Sequence, residues 1–126
     1  MSECRTILIV DDEQGMVDAM QNQLSKRGYH TLAAYDGMDA LLKLSQNKVD
    51  LLLLDIKMPH LDGMELFKKI LSDRARFSCP VLFISAYEEF RAEIEQDEGV
   101  AGFLKKPFTI DDLIGRINNI FGRNEG

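Results

Sequence analysis

The sequence predicts an α/β protein in which a parallel sheet is covered by helices on both faces. Short apolar runs recur along the chain, and they are continuous rather than alternating, which is typical of strands buried on both faces. Between the runs lie segments whose apolar residues follow helical spacing. Five repeats of strand and helix predict a doubly wound sheet joined by right-handed crossover connections.

Five apolar runs are predicted as strands: 7–10, 31–35, 49–54, 81–84 and 101–104. The first helix is expected to end before Gly28, the second to open at Asp36 and the last to follow Thr109, a good capping residue. The apolar stripes of four helices are, in order, Val17, Met20 and Leu24; Leu41 and Leu44; Phe67, Ile70 and Leu71; and Ile110, Leu113, Ile114, Ile117, Ile120 and Phe121. A further helix over 88–97 is predicted from a weaker, acidic pattern.

Composition indicates one soluble domain. A chain of 126 residues with 45% apolar content can bury a sufficient core by itself. The net charge of −6 provides no general basic field for nucleic acid. Cys4 and Cys79 are read as free thiols, and no window reaches the roughly 18 apolar residues of a membrane span. We therefore expect a single cytoplasmic domain over 1–126, with its core over about 5–122, no output domain, no membrane insertion and no direct contact with nucleic acid.

Chemically capable side chains follow the predicted strands. Asp11 and Asp12 come after the first, Asp55 after the third, Ser85 after the fourth and Lys106 after the fifth. In a parallel sheet these positions meet at one edge. Each residue alone has an ordinary structural explanation, but clustered carboxylates repel one another unless a cation neutralises them. Oxygen ligands without His or Cys favour Mg²⁺.

The motifs around these residues resemble the receiver domains of two-component response regulators, the CheY-like superfamily. They are Val10-Asp11-Asp12-Glu13, Leu54-Asp55-Ile56-Lys57-Met58-Pro59, Asp62-Gly63, Ile84-Ser85-Ala86 and Phe103-Leu104-Lys105-Lys106-Pro107-Phe108. Spacings of 43 residues from Asp12 to Asp55, 30 to Ser85 and 21 to Lys106 are similar to those of the family. The resemblance implies a flavodoxin-like (βα)5 three-layer sandwich with strand order 2-1-3-4-5.

The resemblance also implies a role for each site residue. Asp55 would be the phosphoacceptor, forming an aspartyl phosphate with a phosphohistidine as donor. Asp11, Asp12, Asp55 and the backbone carbonyl of Lys57 would hold Mg²⁺. Lys106 would pair with a phosphoryl oxygen while Lys105 points away, and the Lys106-Pro107 bond would be cis.

A second group of residues would control switching and signal lifetime. Ser85 would hydrogen-bond the new phosphoryl group, and Phe103 would swing inward. Lys57 and Tyr87 lie two residues beyond the acceptor and the switch hydroxyl, and neither is suited to position an attacking water. The expected result is a long-lived aspartyl phosphate, unless both side chains lie in solvent without effect.

The expected partners are a sensor histidine kinase or histidine phosphotransfer protein and a downstream protein target. A signalling phosphoacceptor of this kind is not expected to be an enzyme. The chain could be a relay shuttle, a single-domain effector or a piece of a longer regulator. Alternatives are a Mg²⁺-dependent phosphohydrolase of the haloacid-dehalogenase kind, disfavoured because Lys57 stands where that class has an acid, a flavodoxin-like cofactor carrier, and a pseudo-receiver that is not phosphorylated. The acidic run over 93–98 departs from the family's pattern, which usually has small residues there, and the departure concerns the course of the helix predicted over 88–97 and the partner that would dock on it.

Overall fold

A computed structural model describes residues 5–58, 61–73, 79–86 and 100–122. Its strands are β1 (Thr6–Val10), β2 (His30–Ala34), β3 (Leu51–Asp55), β4 (Lys57–Met58), β5 (Leu61–Asp62), β6 (Val81–Ser85) and β7 (Val100–Lys105). Its helices are α1 (Gln14–Lys26), α2 (Gly37–Gln46), α3 (Gly63–Leu71) and α4 (Ile110–Ile120). The helix predicted over 88–97 lies outside the described residues. No helix in the described part of the chain is both long and apolar enough to cross a membrane.

The five longer strands form one parallel sheet in the order β2-β1-β3-β6-β7. Numbered among themselves these strands run 2-1-3-4-5, so the predicted fold class and strand order are confirmed. The short strands β4 and β5 form an antiparallel pair directly after β3. This pair was not predicted, because two-residue strands are too short to show a period.

The sheet is buried on both faces, as its continuous apolar runs require. Every residue of β3 and β6 is buried, whereas the edge strand β2 is partly exposed. One face packs against α2 and α3 in a core that includes Leu54, Phe67 and Phe83. The other packs against α1 and α4 in a core that includes Ile9 and Leu113. The result is a three-layer sandwich.

The helix ends agree with the capping signals in the sequence. The Asp36 side chain accepts a hydrogen bond from the Asp39 amide at 2.8 Å and opens α2. Thr109 and Asp112 bond reciprocally to each other's backbone amides and form a capping box at α4. Gly28, at φ 91°, supplies the left-handed residue between α1 and β2.

Both edge strands of the sheet receive a hydrogen bond from a basic side chain on a flanking helix. At one edge, Lys43 of α2 donates to the carbonyl of Ala33 in β2. At the other, Arg116 of α4 donates to the carbonyl of Phe103 in β7, at 2.8 Å. Edge carbonyls have no neighbouring strand to donate to them, so a long cationic side chain is one way to satisfy them.

Candidate functional site

Strand register brings the first acidic residues together. Val10 of β1 pairs with Leu54 of β3. The next residue of each strand is an aspartate, so Asp11 and Asp55 leave the sheet side by side at its carboxyl edge. Both are buried, at 0% and 5% exposure, while Asp12 is partly exposed. Carboxylate oxygens of all three lie within 4.8 Å of one another.

The structure brings together the three acidic side chains that were predicted as metal ligands. Such a group of carboxylates suits a hard cation such as Mg²⁺, which takes one or two carboxylates together with water and phosphate oxygens. Lys57, whose carbonyl was the fourth predicted ligand, lies in β4, two residues beyond Asp55. The donor set therefore fits the metal that the sequence predicts.

Lys106 is the cation that the structure places on these carboxylates. Its ammonium lies 2.8 Å from Oδ2 of Asp55 and 3.0 Å from Oδ2 of Asp11. Burial by itself lowers the pKa of Lys106, but the hydrogen bonds to Asp55 and Asp11 outweigh it, so the pKa lies above its ordinary value. The side chain remains an ammonium through the physiological range.

The backbone around Lys106 explains how a residue on an edge strand reaches the centre of the site. Its amide donates to the carbonyl of Ser85 at 2.8 Å, which continues the pairing of β7 with β6. Its side chain then extends past the end of β6 to Asp55 on β3. The preceding Lys105 is exposed, as its opposite direction along the strand predicts. The Lys106-Pro107 bond is cis, as the resemblance implies.

The two residues predicted to switch lie on neighbouring strands at this edge. Ser85 ends β6 and is fully buried, and it pairs with Lys105 in the sheet register. Phe103 is 1% exposed and lies in the core on the α2 and α3 face. The ring is therefore in the inward position. Tyr87 and the acidic run over 93–98 lie outside the described residues.

The comparison of the sequence with protein-family models decides the family. Residues 7–118 match the model of the response regulator receiver domain. The chain belongs to this family. Receiver domains are signalling modules of two-component systems, which agrees with the resemblance inferred from the five motifs.

Relatives and solved structures show the same similarity. The receiver domain is 35% identical over 122 residues to the alkaline phosphatase synthesis transcriptional regulatory protein PhoP of Bacillus subtilis; the match covers 96% of this chain and 50% of PhoP. The chain thus spans about half the length of this relative. A CheY-like receiver from Methanospirillum hungatei is 26% identical with a TM-score of 0.84, and the match covers 98% of each chain. The response regulator TrrA of Thermotoga maritima, solved in complex with Mg²⁺ and BeF, is 26% identical with a TM-score of 0.77, over 92% of this chain and 98% of that one.

Sequence reasoning overlooked one residue that touches a predicted switch position of this receiver domain. Arg116 donates to the backbone carbonyl of Phe103. Its partner is a main-chain atom, so no side-chain motif reveals the contact. Gly102, a glycine inside a strand pattern, indicates a bulge, and the pairing of β7 with β6 shifts register between Val100 and Gly102; it does not point to Arg116.

Proposed function

We propose that this receiver domain accepts a phosphoryl group on Asp55 from a phosphohistidine. The donor would be a sensor histidine kinase or a histidine phosphotransfer protein. Asp11, Asp12, Asp55 and the carbonyl of Lys57 would hold Mg²⁺. The metal would offset the repulsion between an anionic phosphoryl group and an anionic carboxylate.

The observation that carries the proposal is the double contact of Lys106 with Asp11 and Asp55 inside the acidic cluster. The Asp55 carboxylate is buried beside this ammonium and close to the carboxylate oxygens of Asp11 and Asp12, which suit a metal. An entering phosphoryl group brings three acceptor oxygens. Lys106 can turn from the Asp55 carboxylate to one of these oxygens with little movement, because it already lies at the reacting group. TrrA, which was solved in complex with Mg²⁺ and BeF, supports the binding of a metal to this chain by similarity.

The same geometry supports a switch made by Ser85 and Phe103. In this proposal the Ser85 hydroxyl bonds the phosphoryl group, and Phe103 occupies the inward position when it does so. A ligand can shift a conformational equilibrium only through its different affinity for the two states. The phosphoryl oxygens provide that difference, because only one state offers them the Ser85 hydroxyl.

The domain as a whole would then act as a signalling acceptor rather than as an enzyme with turnover. We propose that residues 5–122 form one receiver unit, and that its output is a protein contact on the side of the sheet formed by β7 and α4. We assign it to the cytoplasm, where its donor acts, with no direct contact to nucleic acid by this domain. The relative PhoP is named as a transcriptional regulatory protein, and that function is not assigned to the domain by itself.

Intact mass spectrometry tests the acceptor. With acetyl phosphate and Mg²⁺, the mass should increase by one phosphoryl group, and Asp55→Asn should abolish the gain. Asp50→Asn is the control and should still be phosphorylated, because Asp50 directly precedes β3, at the amino end of the strand that carries Asp55 at its carboxyl end. A stable gain in Asp55→Asn would place the acceptor elsewhere. No gain in the parent would favour a pseudo-receiver, and continuous release of phosphate without a stable adduct would favour a phosphohydrolase.

A further inference from the structure

Arg116 contacts the outer edge of the sheet at the predicted switch residue. Its guanidinium lies 2.8 Å from the carbonyl oxygen of Phe103, 13 residues earlier in the chain. Along a strand, the polar groups of alternate residues point to the same side. The Lys106 amide bonds to Ser85 of β6, so Phe103, three positions earlier, directs its carbonyl away from β6 and towards α4.

The guanidinium packs against the strand beside Gly102. A Cβ at Gly102 would lie 3.5 Å from a terminal nitrogen of Arg116, which is an ordinary contact, and 3.3 Å from Leu82, which is a tight one. Arg116 therefore lies directly against the backbone of β7 and reaches the next carbonyl along the strand.

The hydrogen bond from Arg116 to Phe103 joins the backbone that carries both the Phe103 ring and, three residues later, Lys106. The ring of Phe103 is buried on the α2 and α3 face, whereas Arg116 belongs to α4 on the opposite face. Three residues further on, the Lys106 ammonium binds Asp55 and Asp11. The backbone that carries both groups is thus hydrogen-bonded to α4 at Phe103, next to Leu104, which packs in the same core as Leu113 of α4. A charge-assisted hydrogen bond is among the stronger interactions available to a side chain.

We infer that Arg116 is a positioning residue of the switch. It ties β7 to α4 at Phe103, and so keeps the Phe103 ring buried and the Lys106 ammonium aimed at the phosphoryl site. The inference rests on the proposed function, since it assigns a regulator to that same site. It also gives the site a direct connection to α4, the element on which the proposed output contact lies.

The edge strand β2, on the other side of the sheet from β7, offers a control for a purely structural role of Arg116. There Lys43 donates to the carbonyl of Ala33 in β2, and its ammonium also pairs with Asp39 at 3.1 Å. This is the same kind of bond, from a helix cation to an edge carbonyl, at a strand that carries no predicted site residue. If Arg116 only protects an edge, the loss of either cation should affect the molecule in the same way.

The experiment follows the Phe103 ring directly. 4-Fluorophenylalanine is placed at position 103 alone, and its ¹⁹F resonance is recorded in the parent, Arg116→Ala, Arg116→Lys and Lys43→Ala. Binding of Mg²⁺ and beryllofluoride is titrated in each. Asn119→Ala, one turn further along α4, controls for a general disturbance of that helix. If Arg116→Ala does not fold, Arg116→Gln replaces it, because the shorter amide does not reach the carbonyl.

In Arg116→Ala we expect a broadened or second ¹⁹F resonance without any mimic and an affinity for beryllofluoride about three- to tenfold weaker. Arg116→Lys should restore most of the parent's ¹⁹F resonance and most of its affinity for beryllofluoride. The Lys43 and Asn119 variants should match the parent. An unchanged resonance in Arg116→Ala, or an equal change in Lys43→Ala, would overturn the inference. If the parent itself binds no beryllofluoride, the proposed function fails, and the resonance without mimic alone decides the role of Arg116.

Discussion

Asp11 uses its two carboxylate oxygens for different purposes. Oδ1 accepts from the amide of Glu13 at 3.0 Å, and Oδ2 accepts from the Lys106 ammonium at 3.0 Å. The first bond shapes the loop that leads into α1, as an aspartate after a strand often does. The second holds the site together. The structural interpretation of this residue is thus observed, and it is compatible with the predicted role at the site because the first bond fixes the carboxylate.

Among the site residues, Lys106 should contribute most to the unfolding free energy of the unphosphorylated protein. Lys106→Met removes the cation from two buried carboxylates, and we expect a loss of about 2–3 kcal/mol of unfolding free energy near neutral pH. Mg²⁺ should recover part of the loss, because it replaces the missing positive charge. Chemical denaturation of the two proteins with and without Mg²⁺ measures both effects. Lys105→Met, at the exposed neighbouring lysine, is the control and should stay near the parent.

The difference in unfolding free energy between the parent and Lys106→Met should depend on pH, because the pKa of Lys106 is raised in the folded protein. A group whose pKa is higher in the folded state stabilises the fold at every pH below its unfolded value, here 10.5. The difference between parent and Lys106→Met should therefore be constant from about pH 6 to pH 10 and shrink above that range. A difference that vanishes already near pH 7 would contradict the ion pairs described here.

Lys57 and Tyr87, two residues beyond Asp55 and Ser85 in the sequence, are the positions predicted to set how long a phosphoryl group would persist. Water would have to attack a phosphoryl group on Asp55 in line, and the resemblance to the family implies that these two positions lie over that path; neither residue is an acid or amide, and Tyr87 lies outside the described residues. We expect a comparatively long-lived aspartyl phosphate, with faster loss in Lys57→Asn and Tyr87→Glu. Decay of the phosphorylated mass over time measures the rates. Equal rates in all three proteins would show that the two side chains do not shield the site.

The convergence of the predicted site residues in space was predictable from the topology. Asp11, Asp55 and Lys106 follow strands, and parallel topology brings strand ends together whatever the details of packing. The contact of Arg116 with Phe103 was not predictable in the same way. It depends on which carbonyls of β7 point away from β6, and that alternation is fixed by the register of the sheet rather than by residue type.

Among the elements, α4 has the clearest sequence signal and a confirmed cap. Thr109→Ala removes the side-chain oxygen that accepts from the Asp112 amide at 3.0 Å. We expect a loss of about 1 kcal/mol of unfolding free energy, measured by urea denaturation. Thr109→Ser, which keeps the oxygen, should retain most of the stability. A Thr109→Ser protein as unstable as Thr109→Ala would mean that the methyl group, rather than the cap, matters.

The β4 and β5 pair shows where prediction of elements from sequence fails. Each strand has two residues, and the register joins Lys57 to Asp62 and Met58 to Leu61. No periodicity can be read from two residues, whereas the runs of β1, β3 and β6 are long and continuous because both faces of those strands are covered. The prediction succeeded where burial dictates composition and failed where a local turn decides the structure.

At the scale of the molecule, the beginning of β1 and the end of α4 are tied together away from the site. The Arg5 guanidinium lies 4.5 Å from the ring centre of Phe121, and the Tyr29 ring packs against the same phenylalanine at 5.9 Å between centroids. Asp11 of the site follows β1 directly, so the same strand carries a site residue at one end and borders this cluster at the other. Binding at the site should for this reason stabilise the described fold as a whole rather than one loop.

Global stability consequently reports on the metal and the phosphoryl mimic. A ligand that binds only the folded state raises its stability in proportion to the logarithm of ligand concentration. Mg²⁺ alone should raise the thermal midpoint slightly, because three carboxylates already converge within 4.8 Å. Mg²⁺ with beryllofluoride should raise it by about 8 °C at a hundredfold excess over Kd. In the proposed function the second ligand would add contacts to Lys106 and Ser85 that the metal alone would not make.

Asp12→Ala distinguishes stabilisation by Mg²⁺ and beryllofluoride bound at the acidic cluster from a general effect of salt on the thermal midpoint. Asp12 is the partly exposed member of the acidic cluster, so its loss should disturb the core less than that of buried Asp11 while removing a predicted metal ligand. We expect both shifts of the midpoint to disappear in Asp12→Ala and to remain in Asp18→Ala, which removes one exposed carboxylate of α1. Scanning calorimetry with Mg²⁺, with Mg²⁺ and beryllofluoride, and with matched sodium chloride measures them. A full response in Asp12→Ala would place the metal elsewhere, because a cation held by that carboxylate cannot bind equally well without it.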